Sequence, residues 1–180
     1  MKGIVDYGLR YDMNQKVNLQ GYVDSDWAKS VVDSKSTSRC CFSMGLGMIS
    51  WFSRKHSCME LSTAKAEYVA TCSSSCGEVW LRKLLFDLFD LQLEAISIFC
   101  LNQSYVKLSE KPVFHDKSKH IDIKYHYIRD TMQRGAVKLQ YVVMDEEIVD
   151  VLTKPLAIVK FKYFKEKLGV SQIEVPPKGR

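Results

Sequence analysis

Apolar and polar positions alternate in "NLQGYVDSDWA", where Leu19, Tyr22 and Val23 lead into Asp24 and Asp26. This period of two predicts a strand that ends near Asp24. The polar stretch 29–38 reads as a turn-rich connection. "RCCFSMGLGMISWFSRK" then predicts two strands joined around Gly45-Leu46-Gly47. The period changes in "ELSTAKAEYVATCSSSCGEVWLRKLLFDLF". Ala66, Val69, Ala70, Val79, Leu81, Leu84, Leu85 and Leu88 recur at helical spacing. Ser62 or Thr63 is placed to cap this helix, which is expected to run to about Phe89, bent or loosened near Gly77.

Beyond it, "AISIFC" at 95–100 predicts a short buried strand, and "NQSYVKLSEK" a short helix stopped by Pro112. A helix in "KSKHIDIKYHYIRDTMQRG" should end at Gly135. "AVKLQYVV" alternates as a strand. "DEEIVDVLTKPL" predicts a short helix stopped by Pro155, "FKYFKEKLG" a terminal helix, and "VSQIEVPPKGR" a loose end. Three consecutive strands followed by strands alternating with helices imply an α/β fold: one mixed sheet covered by helices.

Composition narrows the class. The 180 residues suffice for one domain with a real core, and 26% charged residues match a globular chain rather than a disordered one. No apolar run approaches the roughly 20 residues needed to span a bilayer. "MKGIVDYGLRYD" lacks the apolar centre of a signal peptide. An intracellular protein, cytoplasmic or nuclear, or a piece of a larger polyprotein is expected, with no membrane partner.

The net charge of +5 is concentrated from Lys154 onward, where seven basic residues face only Glu166 and Glu174. Such a tail suits phosphate contact, but from charge alone a solvated lysine-rich helix face is the favoured account of it. The six cysteines form no C-x-x-C pair and stand at no zinc-finger spacing from a histidine. They are expected to be small buried thiols in a reducing compartment, although Cys72 and Cys76 are four residues apart on one helix. Trp27, Trp51 and Trp80 are expected in the core. His115, His120 and His126 lie near Asp116 and Asp122. A metal site there is conceivable, but no two of the histidines are four apart, and a polar helix surface explains them.

The chemistry sits at element ends. Asp24 closes the first strand, Glu67 lies one turn into the long helix, and Asp150 falls in the short helix before "TKPL". Carboxylates converging from such places repel one another unless a cation lies among them. Hard divalent ions take carboxylate oxygens, and a pair of them activates water for phosphodiester cleavage.

The chain resembles the ribonuclease H domain of Ty1/copia-type retrotransposon Pol polyproteins. "DYGLRYD", "GYVDSDWA", "SKSTS", "ISWFSRK", "LSTAKAEYVA", "EVWLRKLL", "KHIDIKYHYIRD" and "VDVLTKPL" occur in the family's order over roughly residues 6–168. The resemblance implies the ribonuclease H-like fold, a five-stranded mixed sheet flanked by helices, over 19–170. It implies the end of a reverse transcriptase connection over 1–18, and leaves a flexible basic tail over 171–180. The implied activity is hydrolysis of the RNA strand of RNA–DNA hybrids with Mg²⁺ or Mn²⁺, beside the reverse transcriptase domain of the same polyprotein.

The family's acidic metal ligands fall on Asp24, Glu67 and Asp150, but the one at the end of the fourth strand falls on Leu101, within "CLNQSY". Leucine offers no oxygen, so metal binding is expected to be weakened and catalysis strongly impaired. Asn102 should point to the other face if the strand continues, and Asp26 should lie beyond its own strand. A catalytically dead module binding nucleic acid or protein is the alternative. By resemblance, hybrid would lie across Ser25, Ser62, Thr63, Lys65 and Gln103, although Ser62 or Thr63 can simply cap the helix. Lys117, Lys119, Lys124, Arg129 and Arg134 add cations nearby. Further departures from the family pattern stand at Arg39, Lys65, Val143-Met144 and Val149.

Overall fold

The computed structural model describes residues 6–9, 11, 17–28, 30, 32–45, 47–103, 106–107, 119–143, 148–152 and 156–172, the side chains of 119–125 excepted. The strands are β1 (Tyr7–Leu9), β2 (Leu19–Asp26), β3 (Thr37–Met44), β4 (Gly47–Lys55), β5 (Ile96–Cys100), β6 (Val137–Tyr141) and β7 (Val170–Gln172). The helices are α1 (Thr63–Phe89), α2 (Lys119–Gln133) and α3 (Ile158–Lys167), with a 3₁₀ turn at Ile148–Leu152.

Five strands form one sheet in the order β4-β3-β2-β5-β6. β2, β3 and β4 are antiparallel neighbours, β3 and β4 through a tight turn, whereas β5 runs parallel to β2 and to β6. Parallel neighbours require long crossovers, and α1 and α2 supply them. This is the mixed α/β sheet expected from the element order.

Alternation sends neighbouring side chains to opposite faces. On one face Leu19, Cys40, Phe42 and Ile96 pack with Leu81 and Leu85 of α1, while Val23, Ile98 and Val137 pack with Tyr68, Ala70 and Ile128. On the other, Cys41 and Met48 meet Ile148, Val149, Phe164 and Leu168. β3 is therefore covered on both faces, and its interior positions are all buried. Tyr22 and Phe99, cross-strand partners in β2 and β5, stack with ring centres 5.0 Å apart.

α1 runs unbroken through Gly77, so the helix is not interrupted there. A Cβ on Gly77 would lie 3.3 Å from the Phe42 ring, so the glycine permits close helix–sheet approach. The buried line of α1 is also less apolar than its spacing suggested. Val79 and Leu88 are exposed, and Thr71, Ser74, Ser75 and Glu78 are buried. Thr71 and Ser74 donate their hydroxyls to the carbonyls of Glu67 and Ala70, which makes their burial tolerable.

Several other expectations change. β2 continues through Asp26. All three tryptophans are exposed, because Trp51 lies on edge strand β4 and Trp80 on the outer side of α1, while Trp27 lies just past β2 and donates its ring N–H to the Glu60 carbonyl. Cys40, Cys41, Cys72 and Cys100 are the buried thiols expected, but Cys58 and Cys76 are exposed. The helix before Pro155 is a 3₁₀ turn. The expected loose end contains β7, which pairs antiparallel with β1 in a separate two-stranded ribbon. The rest of the expected tail, 173–180, lies outside the described residues, as do His115, Asp116, Lys117 and most of the short helix before Pro112. That helix is seen to begin at Gln103. Among the described residues no helix is long and apolar enough to cross a membrane.

Candidate functional site

The site forms where β2 and β5 end side by side. Their last paired residues are Val23 and Cys100, and the next residue on each chain is Asp24 and Leu101. Asp24 is buried, and Leu101 is half-buried in the bend that follows β5. The strand does not continue into Asn102, whose carbonyl instead accepts from the Val106 amide as the next turn begins.

Glu67 reaches the same end of the sheet from the second turn of α1. Burial, and then the negative charge of Asp24, push its carboxyl up from 4.5 to about 7. A carboxyl at that value is about half protonated at neutral pH, so this pair relieves its repulsion by taking up a proton. Asp150 is buried in the 3₁₀ turn, which packs against β2 and β3 from the opposite face to α1. Among the described residues no three His, Cys, Asp or Glu side chains are grouped so as to hold a metal ion.

A cation is nevertheless present. Arg39, on β3, pairs across the strands with Asp24. Its Nη1 donates to Asp24 Oδ2 at 2.9 Å, and its Nη2 donates to Asp26 Oδ2. All three side chains are shielded, with 9%, 6% and 14% exposure for Arg39, Asp24 and Asp26. Burial acts to lower the Arg39 pKa, but Asp26 and then Asp24 outweigh it and raise it above its ordinary value. Unit charges 4 Å apart interact by about 4 kcal/mol at an effective dielectric constant near 20. The guanidinium would repel a divalent ion at this place by roughly twice that. Leu101 supplies no oxygen and Arg39 already holds Asp24, so the residues present do not fit a two-ion centre.

The residues expected to touch a nucleic acid are distributed around this end. Ser25 follows Asp24, and its Oγ is buried with no hydrogen-bond partner among the described residues. Ser62 caps α1, its Oγ accepting from the Lys65 amide at 3.3 Å. Thr63 and Gln103 are exposed at the first turns of two helices, and Lys65 is half-buried. Arg129 and Arg134 lie on α2, where Arg134 pairs with Asp130. His126 is exposed on the same helix.

Neither Arg39's pairing nor a polar network beside it follows from the alternation of the sequence. Ser38 Oγ is hydrogen-bonded to His56 Nε2, and His56 Nδ1 lies 2.6 Å from Glu60 Oε1. The available signal was the i, i+4 spacing of His56 and Glu60. The arrangement has the order of a nucleophile relay, but Ser38 is 2% exposed, which no substrate carbonyl or phosphate can reach. Its effect is to tie the end of β4 and the segment before α1 to β3.

No protein-family model matches the chain. It is similar to the retrovirus-related Pol polyproteins from the Arabidopsis thaliana transposons RE2, 35% identical over 177 residues, and RE1, 34% identical over 177 residues. Each match covers 98% of this chain and 12% of the relative, so the chain spans about an eighth of the length of these polyproteins. The Pol polyprotein of the Nicotiana tabacum transposon TNT 1-94 is 35% identical over 152 residues, 84% of this chain and 11% of its own length. Among solved structures, the N-terminal RNase H domain of Rv2228c from Mycobacterium tuberculosis superposes with a TM-score of 0.55 at 10% identity, covering 84% of this chain and 98% of that one. LC11-RNase H1 in complex with RNA/DNA hybrid gives 0.51 at 13% identity, covering 72% and 88%. These structural likenesses establish the fold.

Proposed function

We propose that the chain is the ribonuclease H-like part of a retrovirus-related Pol polyprotein of the plant copia type, and that it binds RNA–DNA hybrid while its hydrolysis of the RNA strand is strongly impaired. The observation that carries this reading is Leu101 beside Asp24, an apolar side chain at a strand end where hybrid cleavage calls for another carboxylate. Mg²⁺ or Mn²⁺, where bound, would supply nucleophile activation and stabilise the leaving oxygen. Here only Asp24, Glu67 and Asp150 remain as acidic groups, and with Leu101 in the fourth place they do not hold a divalent ion tightly enough for turnover.

The binding half of the proposal needs no metal. Ser62, Thr63, Lys65 and Gln103 carry short hydroxyls, an amide and a cation, the group types that contact sugar and phosphate, whereas the buried Ser25 hydroxyl leaves that residue only its backbone for such a contact. Ser62 spends an acceptor lone pair on its helix cap, which leaves its hydroxyl hydrogen for a phosphate or 2′-hydroxyl. One solved neighbour carries an RNA/DNA hybrid on this fold. The reverse transcriptase domain of the same polyprotein is the proposed neighbour in the full-length chain.

The test uses labelled RNA–DNA hybrid and DNA duplex of equal length. Expected results are hybrid binding that weakens steeply with salt, preference over DNA duplex, and cleavage near background in Mg²⁺ and in Mn²⁺. Wild-type turnover at the rate of an Arg39→Gln/Leu101→Asp variant would refute the impairment. Equal affinity for hybrid and DNA duplex would refute the substrate class.

A further inference from the structure

Two carboxylates two residues apart on β2 meet one guanidinium from β3. We propose that Arg39 is the resident counter-cation of this site, so that the site is closed to divalent ions by Arg39 as well as by the leucine at 101. The proposal rests on the ribonuclease H-like reading, and adds that restoring the acid at 101 alone does not restore ion binding.

The geometry favours arginine for this task. Asp24 and Asp26 lie on the same face of β2, one pleat apart, and each is met by a different terminal nitrogen of one planar group. A lysine, as a point charge, could not hold both carboxylates in this fixed fork. The register Asp24↔Arg39 places the arginine directly opposite its first partner, so the reach to the second requires only the next pleat. Mg²⁺ demands carboxylate oxygens at roughly 2.0–2.1 Å in octahedral order. Oδ2 of Asp24 is instead held by a donor at 2.9 Å. The guanidinium is charged at every pH the fold survives, so no change of pH vacates the place.

Neutralisation by Arg39 also explains how acidic residues at the end of β2 stay buried. A chain relying on a metal for that neutralisation would be destabilised by chelators. This one is expected to melt at the same temperature in EDTA as in Mn²⁺.

The experiment measures Mn²⁺ binding by calorimetry and by its effect on the melting temperature, on wild type, Arg39→Lys, Arg39→Gln, Leu101→Asp and Arg39→Gln/Leu101→Asp. Circular dichroism verifies folding. Wild type, Arg39→Lys and Leu101→Asp should show no saturable response. Arg39→Gln and the double variant should bind roughly tenfold tighter or more, because the repelling unit charge is gone. The proposal is overturned if Leu101→Asp, with Arg39 intact, binds Mn²⁺ as tightly as the double variant. It is equally overturned if a folded Arg39→Gln binds no better than wild type. Should Arg39→Gln fail to fold, wild type and Leu101→Asp decide the matter: saturable binding by either overturns the proposal, and its absence in both supports it. Hybrid affinity of wild type in EDTA is read separately. Its loss sinks the hybrid-binding reading and leaves the ion comparison intact.

Discussion

Asp24 and Leu101 stand next to each other one residue beyond the last rung between β2 and β5, a carboxylate beside an apolar side chain. Leu101→Asp therefore introduces a negative charge beside Asp24 and close to Glu67. Without a new cation it is expected to destabilise the fold by roughly 1–3 kcal/mol at pH 7. The introduced carboxyl would have its pKa raised by its neighbours, so the loss should shrink as pH falls and vanish below the unfolded value of about 4. Urea melts at pH 4 and pH 7 measure this.

Arg39→Ala leaves Asp24 and Asp26 buried without their guanidinium. Breaking one side of such a pair costs about 3–5 kcal/mol. Denaturant melts should show that loss at neutral pH, with a partial recovery at low pH as the orphaned carboxylates protonate. A loss below about 1 kcal/mol, the range of surface pairs, would mean that the ion pair is effectively solvated.

Glu78 is fully buried in α1, and neither carboxylate oxygen has a hydrogen-bond partner among the described residues. Burial, opposed by the Arg82 charge, pushes it from 4.5 to about 8. The folded value lies above the unfolded one, so its contribution is fully present below about pH 4.5 and is lost as pH rises to about 8. At pH 7 the cost is of the order of 3 kcal/mol. Glu78→Gln should flatten the decline in stability between pH 5 and 8, as read from melts across that range.

Phe42 fills the space between sheet and helix. A Cβ on Gly21 would lie 3.2 Å from its ring and one on Gly77 3.3 Å, so both glycines are shaped to it. Phe42→Ala should cost about 3–5 kcal/mol. Gly77→Val should also destabilise, and combining the two should recover part of the loss, which a double-mutant cycle would quantify.

The cap of α1 is testable alone. Ser62→Ala removes the acceptor for the Lys65 amide and should cost about 1 kcal/mol. If Ser62 also touches nucleic acid, Ser62→Gly, which costs the helix only a few tenths of a kcal/mol, should still weaken hybrid binding in an anisotropy titration.

The three strands, the start of the long helix and the end of α2 were legible because each carries local chemistry: alternation, Ser62 at the head of α1, and Gly45 and Gly135, where φ turns positive, after β3 and α2. The positions of Asp24, Glu67 and Leu101 at element ends followed from the same signals. Arg39's pairing was not legible. It depends on the register between β2 and β3, and the chain joining them, 27–36, is too long to set that register by turn type. β3 is buried on both faces, so alternation could not distinguish a cation facing the site from one facing solvent. The tryptophans failed for a related reason. Size and apolarity suggest burial, but an edge strand and the far side of a covering helix have nothing left to bury them. β7 escaped notice because its partner lies more than 150 residues earlier.

That β1–β7 ribbon has a mechanical consequence. Tyr7 pairs with Gln172 and Leu9 with Val170, so chain enters and leaves at the same end of the ribbon. A pull applied from both sides opens it one rung at a time, starting at Tyr7–Gln172, rather than shearing all three rungs together. Lys165, 3.6 Å over the Tyr7 ring, sits at that first rung. The ribbon's three rungs, against the four to eight that join neighbouring strands of the five-stranded sheet, are thus expected to part first under tension.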